Sequence, residues 1–271
     1  MTAFPYVPLD SNGWRLAMGM RPLNVATWLQ LDERRDEDLA LKAELLDRNF
    51  DTVVATESAG DAASHELLGE VTSFLGAYHP LVSTATDSHE HPIVQAARLA
   101  QEDFCVLVRD DVWRLRAACV CFPSRWDLTQ KIGTTLDEIH SPVPGYASEL
   151  STPTNSFFDR LRPERSYWRL NWTLLDHPDL FQPERARVAP SGELADWFFR
   201  VERQTLRQLP HTNAIVFTIR TYVASASSLH ATDEQFVPAL LHGLDTAPRD
   251  VQDYKGWSGV AERLRESLRS E

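Results

Sequence analysis

The pattern of apolar and polar positions divides the chain into a helical first third and a strand-rich middle. Leucines recur among charged residues from Glu33 to Arg48, and apolar residues repeat with a helical period from Ala62 to Tyr78. A third segment of helical character follows from Ile93 to Ala100. The pattern therefore predicts three helices, of which the first two are amphipathic and lie on the surface.

The period then changes to the alternation that is typical of strands. Two β-rich runs, Phe104–Val108 and Val112–Phe122, flank a short acidic turn and predict an antiparallel hairpin. Tyr167–Leu175 and Ala214–Ala224 are rich in β-branched and aromatic residues, which predicts two further strands. Strands of this kind among helices indicate an α+β protein.

The remaining periodic segments predict helices. One precedes His140, from Leu128 to Ile139, and another lies between the two later strands, around Glu193–Leu206. Two more are predicted near the C-terminus, around Asp233–Leu244 and at Gln252–Leu268. No repeat, Gly/Ser linker or low-complexity block marks a domain boundary.

Composition and charge narrow the function classes. The 271 residues are 43% hydrophobic, enough for one large core, although composition leaves one elaborated domain and two small ones both open. The net charge of −12 offers no general cationic field for a phosphate backbone, so we expect no nucleic-acid partner. No apolar run reaches the roughly 18–20 residues of a membrane span, and no signal peptide opens the chain. These features predict a soluble, cytoplasmic protein.

The three cysteines, Cys105, Cys119 and Cys121, are too few and too clustered for a disulfide framework, which favours a reducing compartment. Cys119 and Cys121 are two residues apart in a predicted strand, so their side chains share a face. A zinc or iron–sulfur site needs further soft ligands at short spacing, and none is present. We therefore interpret all three as small buried side chains.

His140 is the strongest candidate for chemistry, because the usual glycine-rich nucleotide loops and the HExxH and GxSxG signatures are absent. It follows a predicted helix, and Pro142 and Pro144 force the next residues into extended geometry. A stiff loop would hold this imidazole at a fixed angle, as an iron ligand requires. The alternative is a histidine that interacts with the dipole of the preceding helix. The spacing of the histidines and carboxylates does not support a mononuclear iron site with two histidines and a carboxylate.

The strand Tyr167–Leu175 carries a polar pair. Arg169 and Asn171 share one face of it, whereas the opposite face is aromatic and aliphatic. A polar pair on a central strand needs partners such as a ligand carboxylate. A solvent-exposed face opposite an aromatic core explains the same pattern.

Two further arginines are candidates for binding an anionic group. Arg203 lies in the predicted helix Phe198–Pro210, which carries an apolar stripe and a basic side. Arg220 and Tyr222 are two residues apart in the last predicted strand, so their side chains share a face. This face is either the wall of a polar pocket or exposed to solvent, and the sequence leaves both interpretations open.

Six motifs in order resemble one family, the haem-bearing α subunits of haem-dependent oxidative N-demethylases. The resemblance extends from about Phe4 to beyond Tyr222, and its motifs are FPSRW at 122–126, KIG at 131–133, IHSPVP at 139–144, RLNW at 169–172, ERQTLRQLP at 202–210 and FTIRTY at 217–222.

The resemblance implies a haem b bound in a PAS-like fold, a five-stranded antiparallel sheet with surrounding helices. It predicts that residues 1–271 form a single haem-binding domain with helical N- and C-terminal extensions, and that His140 is the proximal iron ligand. Because a dianionic haem edge needs cationic partners, we expect propionate or pocket contacts from Lys131, Arg169, Arg203 and Arg220. Trp126, Tyr146 and Tyr222 are candidate aromatic walls for a cationic amine.

The implied reaction is oxidative N-demethylation of a small methylated amine such as dimethylamine, which yields formaldehyde and the smaller amine. Oxygen is a co-substrate, and two electrons per turnover arrive from a partner reductase that uses NAD(P)H, flavin and an iron–sulfur cluster, since this chain has no flavin fingerprint and few cysteines. The alternative is a non-catalytic haem PAS module that binds oxygen or a small ligand.

Overall fold

A computed structural model describes residues 4–9, 11–184 and 192–270. One antiparallel sheet with helices around it confirms the α+β class. Its strands are β1 (Arg21–Pro22), β2 (Val54–Thr56), β3 (Asp103–Arg109), β4 (Trp113–Cys119), β5 (Tyr167–Leu175), β6 (Phe198–Gln208) and β7 (Ile215–Ser225). They lie in the order β1-β5-β6-β7-β3-β4-β2, so the described sheet has seven strands rather than the predicted five.

The helices described lie before, within and after the sheet sequence. They are α1 (Arg35–Arg48), α2 (Phe50–Val53), α3 (Asp61–Tyr78), α4 (Pro92–Leu99), α5 (Leu136–His140), α6 (Ser151–Arg160), α7 (Ala226–Thr232), α8 (Phe236–Thr246), α9 (Arg249–Lys255) and α10 (Val260–Ser270). The helices predicted in the first third and the β3–β4 hairpin are confirmed. Among the described residues, no helix combines the length and apolarity needed to cross a bilayer.

The prediction of a helix around Glu193–Leu206 is wrong, because most of this segment is strand β6. Its spacing of Phe199, Glu202 and Leu206 matches a helical stripe, yet the strand pairs along its whole length with β7 and over nine residues with β5. β6 is a central strand and is covered on both faces. Charged residues are therefore buried among its apolar ones, and the alternation of polar and apolar positions that is typical of a strand is difficult to recognise in its sequence.

The single helix predicted over Gln252–Leu268 is two helices in the structure. The chain leaves α9 at Gly256, which adopts a left-handed conformation with φ of 74°. Trp257 then inserts into the core, stacked on Trp172 with 4.8 Å between the ring centroids. Glycine ends α9 because it adopts positive φ without steric cost.

Helices cover one face of the sheet, and a long connection covers the other. Helices α1, α3 and α4 pack on one end of the first face, and α7 to α10 pack on its other end. The opposite face meets the connection from residue 120 to residue 161, which contains α5 and α6. We call these the helical face and the connection face.

A buried ion pair fastens α1 to the sheet. Lys42 and Asp103 are both 0% exposed, and Lys42 Nζ lies 3.2 Å from Asp103 Oδ1. Asp103 also accepts the backbone N–H groups of Cys121 and Phe122. The three cysteines are buried, as predicted, and the Sγ atoms of Cys119 and Cys121 lie 3.9 Å apart.

We expect Gly133→Ala to lower the free energy of unfolding by about 1–3 kcal/mol. Gly133 has φ of 74°, and an added Cβ would lie 2.7 Å from Glu57 Oε1. The control is Gly69→Ala in α3, where a Cβ meets nothing within 4 Å and the better helix former should stabilise by about 0.5–1 kcal/mol. Urea unfolding checks both, and equal effects of the two substitutions would contradict the prediction.

Candidate functional site

The site is built around His140, the last residue of α5. The predicted helix over Leu128–Ile139 is wrong: a single 3-10 turn spans residues 128–130, and α5 begins only at Leu136. A capping box sets this start, since the side chains of Thr135 and Glu138 bond reciprocally to each other's backbone N–H. The T-x-x-E spacing was the sequence signal for this boundary.

The His140 ring is fixed by two contacts. Its Nδ1 lies 2.7 Å from the carbonyl oxygen of Leu136. Because a carbonyl only accepts, Nδ1 carries the proton and the lone pair of the neutral ring is on Nε2. Tyr146 stacks on the imidazole with 4.6 Å between centroids and an interplanar angle of 14°.

The electrostatics favour the neutral imidazole. Burial lowers the pKa of His140, the bond to Leu136 opposes this shift, and the positive charges of Arg169 and Lys131 add to the lowering. Nε2 has no hydrogen-bond partner among the described residues. A neutral ring oriented through Nδ1 with Nε2 available is the arrangement of a metal-ligating histidine.

The connection face, to which α5 brings His140, carries a group of half-buried apolar side chains. They pack against the buried cluster of that face and include Met20, Trp126, Ile132, Ile139, Phe157, Tyr167 and Phe217. Phe217 belongs to the interior strand β7, so its partial exposure shows that the face is incompletely covered here. The lining is apolar, as a flat hydrophobic cofactor requires.

Lys131 and Arg169 lie close enough to His140 for their charges to act on it. Lys131 Nζ donates to the carbonyl oxygen of Ile139, 3.1 Å away. Arg169 makes no hydrogen bond or ion pair with the described residues, and its Nε is both shielded from solvent and without a partner. The Arg169 guanidinium therefore has donors available to an anionic group.

The structure corrects the predicted positions of Arg203 and Arg220, because both side chains project from the helical face. They oppose each other in the β6–β7 register, out of phase with Arg169, which opposes Gln204. Arg203 donates to the carbonyl oxygens of Thr27 and Trp28 at 2.6 and 3.1 Å. These donors are engaged within the protein.

The guanidinium group of Arg220 is also paired within the protein. Its Nη2 lies 2.6 Å from Asp32 Oδ2 and its Nη1 lies 3.1 Å from Asp38 Oδ2. Tyr222, two residues along, is on the same face, and its hydroxyl donates to Gln30 Oε1 at 2.7 Å. The sheet therefore separates Arg203, Arg220 and Tyr222 from His140, and we do not place them at the site.

Sequence reasoning missed two charged residues beside Arg169. Glu202 lies on the same face of the neighbouring strand β6 and opposes Asn171; it accepts from Gln204 Nε2 at 3.0 Å and lies 3.4 Å from Arg200 Nε. Lys255, from α9, donates to the carbonyl oxygen of Trp172 at 3.0 Å. Glu202 was hidden by the helical interpretation of β6, and no local pattern links Lys255 to a residue 86 positions earlier.

The other candidate metal ligands do not converge. No group of three or more His, Cys, Asp or Glu side chains within the described ranges could hold a metal ion. His91 caps α4 through Nδ1, and its Nε2 lies 3.2 Å from Asp61.

Comparison with protein families gives one match that covers most of the chain. The model of the family described as haem-dependent oxidative N-demethylase, alpha subunit-like, matches residues 19–265. The matched range includes β1 to β7, α5 with His140, and Lys255.

Proposed function

Because the chain belongs to the haem-dependent oxidative N-demethylase, alpha subunit-like family, we propose that it binds haem b through His140 and carries out oxidative N-demethylation. The observation that carries this proposal is the geometry of His140: Nδ1 donates to Leu136, Tyr146 stacks on the ring, and Nε2 is left for iron. When bound, haem supplies the redox chemistry that activates oxygen toward a C–H bond.

The residues around His140 fit a haem. The half-buried apolar lining suits the porphyrin plane, and Trp126 contributes an aromatic wall. Lys131 and Arg169 supply positive charge for the propionates, and Arg169 has donors to spare. The segment with α5 and α6 covers part of the connection face, which limits the access of water to the reacting groups.

The number of long strands supports a PAS-like assignment, since five of the described strands, β3 to β7, have seven or more residues. The helical connection that carries His140 joins the second and third of them. We propose that this PAS-like unit, with helical N- and C-terminal extensions, is a single domain.

We propose a small methylated amine, of the dimethylamine type, as substrate. Oxidation of its N-methyl group consumes oxygen, two electrons and two protons and releases water; the resulting carbinolamine collapses to formaldehyde and the smaller amine. The word "subunit" in the family description supports an electron-donating partner chain that uses NAD(P)H, flavin and an iron–sulfur cluster. The three cysteines of this chain are buried, which fits clusters held elsewhere.

The test is turnover by haem-loaded protein. A surrogate reductase with NADPH supplies the two electrons that each turnover consumes, and the protein is mixed with oxygen and dimethylamine. We expect formaldehyde in proportion to haem, and none from the His140→Ala protein. A stable haem complex that yields no formaldehyde from dimethylamine, trimethylamine or N-methylated amino acids would establish the non-catalytic haem module instead.

A further inference from the structure

Four charged side chains lie near one another at one side of the connection face. Strands β5 and β6 present Arg169, Arg200 and Glu202 there, and α9 brings Lys255 to the carbonyl oxygen of Trp172 on β5. The charge of Arg169 also acts on His140. Glu202 is the one acid among these four groups. Its carboxylate lies 3.4 Å from Arg200, whose remaining donors take the carbonyl oxygens of Leu180 and Phe122. Arg169 and Lys255 are left without a carboxylate of their own.

Lys255 reaches this face around the edge of the sheet. The short β1 pairs with β5 only at Tyr167 and Trp168, so the outer edge of β5 is open further along. Lys255 Nζ lies at that edge, where it donates to the carbonyl oxygen of Trp172. This bond uses one of the three protons of the ammonium group. Lys255 Nζ also lies over the ring of Trp257, 4.9 Å from the centroid.

The two cations act on each other. Burial lowers the pKa of Lys255 to about 8, Glu202 opposes this shift, and the charge of Arg169 adds to the lowering. Burial also lowers the pKa of Arg169, whereas Glu202 raises it. Two half-buried cations with free donors are costly unless an anion joins them.

We propose that Arg169 and Lys255 form a carboxylate-binding subsite beside the His140 pocket, and that α9 thereby closes the site. The inference rests on the proposed function for its ligand. The carboxylate belongs either to a haem propionate or to a substrate that is an N-methylated amino acid. In the second case the protein demethylates zwitterions such as sarcosine in preference to dimethylamine.

The first arm of the test uses metal-free protoporphyrin IX and its dimethyl ester, titrated into the apoprotein and followed by tryptophan fluorescence. Neither probe contains iron, so the readout is independent of the bond to His140. If the propionates occupy the subsite, Arg169→Gln and Lys255→Met each weaken binding of the free acid about tenfold and leave the ester unchanged. Lys255→Arg keeps the charge and should restore binding.

The second arm uses haem-loaded protein and the visible spectral change on adding sarcosine or dimethylamine. If a substrate carboxylate occupies the subsite, the same two variants shift the sarcosine midpoint about tenfold, whereas the dimethylamine midpoint and porphyrin binding stay unchanged. The control in both arms is Arg21→Gln, which removes an exposed cation from the neighbouring strand β1.

The outcomes separate this inference from the proposed function. Variants that behave as the wild type in both arms overturn the subsite, even when haem binds. A wild type that binds the free-acid porphyrin through Arg169 and Lys255 but fails to bind haem keeps the subsite and overturns the proposed function. A wild type that binds neither porphyrin nor haem overturns both.

Discussion

His140→Ala is expected to abolish the Soret band of protein reconstituted with equimolar haem, which corresponds to a loss of about 100-fold or more in affinity. His140 offers the Nε2 lone pair on a ring that the Leu136 carbonyl and Tyr146 hold in place. Removal of the imidazole leaves the apolar lining but no ligand. The absorption spectrum and the haem-to-protein ratio after gel filtration measure the effect.

The matched control is His65→Ala. His65 also directs Nδ1 toward the carbonyl oxygen four residues earlier in its helix, at 3.0 Å from Asp61, but its ring is exposed on α3. Its removal should leave the Soret band unchanged. Added imidazole should restore the band in His140→Gly by filling the vacated position. An unaltered spectrum in folded His140→Ala protein would exclude His140 as the ligand.

Lys42→Met is expected to lower the free energy of unfolding by about 3–5 kcal/mol. Lys42 and Asp103 are both fully buried, and burial raises the pKa of Asp103 while Lys42 lowers it. Loss of the ammonium leaves a carboxylate in the interior with only two backbone donors. Urea unfolding, with the slope checked against the wild type, measures the change.

The control for this substitution is Arg48→Met on the same helix. Arg48 and Glu44 form an exposed pair at 2.7 Å, whose loss should cost no more than about 1 kcal/mol. In the double variant Lys42→Met with Asp103→Asn, removal of the unpaired charge should recover part of the lost stability. A Lys42→Met protein within about 1 kcal/mol of the wild type would contradict this prediction.

The residues that set the geometry of the candidate site differ in how far apart they lie in the sequence. His140 is a candidate ligand on local features alone, the prolines after Ser141, whereas the capping box at Thr135 that starts α5 was overlooked. Arg169 was identifiable as one of a polar pair on an otherwise apolar strand. The sequence could not place Arg203 and Arg220 on the helical face, because the partners that hold them there lie more than 170 residues away in the sequence.

What the sequence by itself determined is the local chemistry: the α+β class, the β3–β4 hairpin, the burial of the cysteines and the candidate ligand His140. These follow from periodicity, turn residues and capping, which act over a few positions. Only the tertiary structure decided that β6 is a central strand, which faces its arginines occupy, and that Lys255 lies beside Arg169. Such facts depend on strand register and on packing between distant segments, where a shift of one residue exchanges the two faces of a sheet.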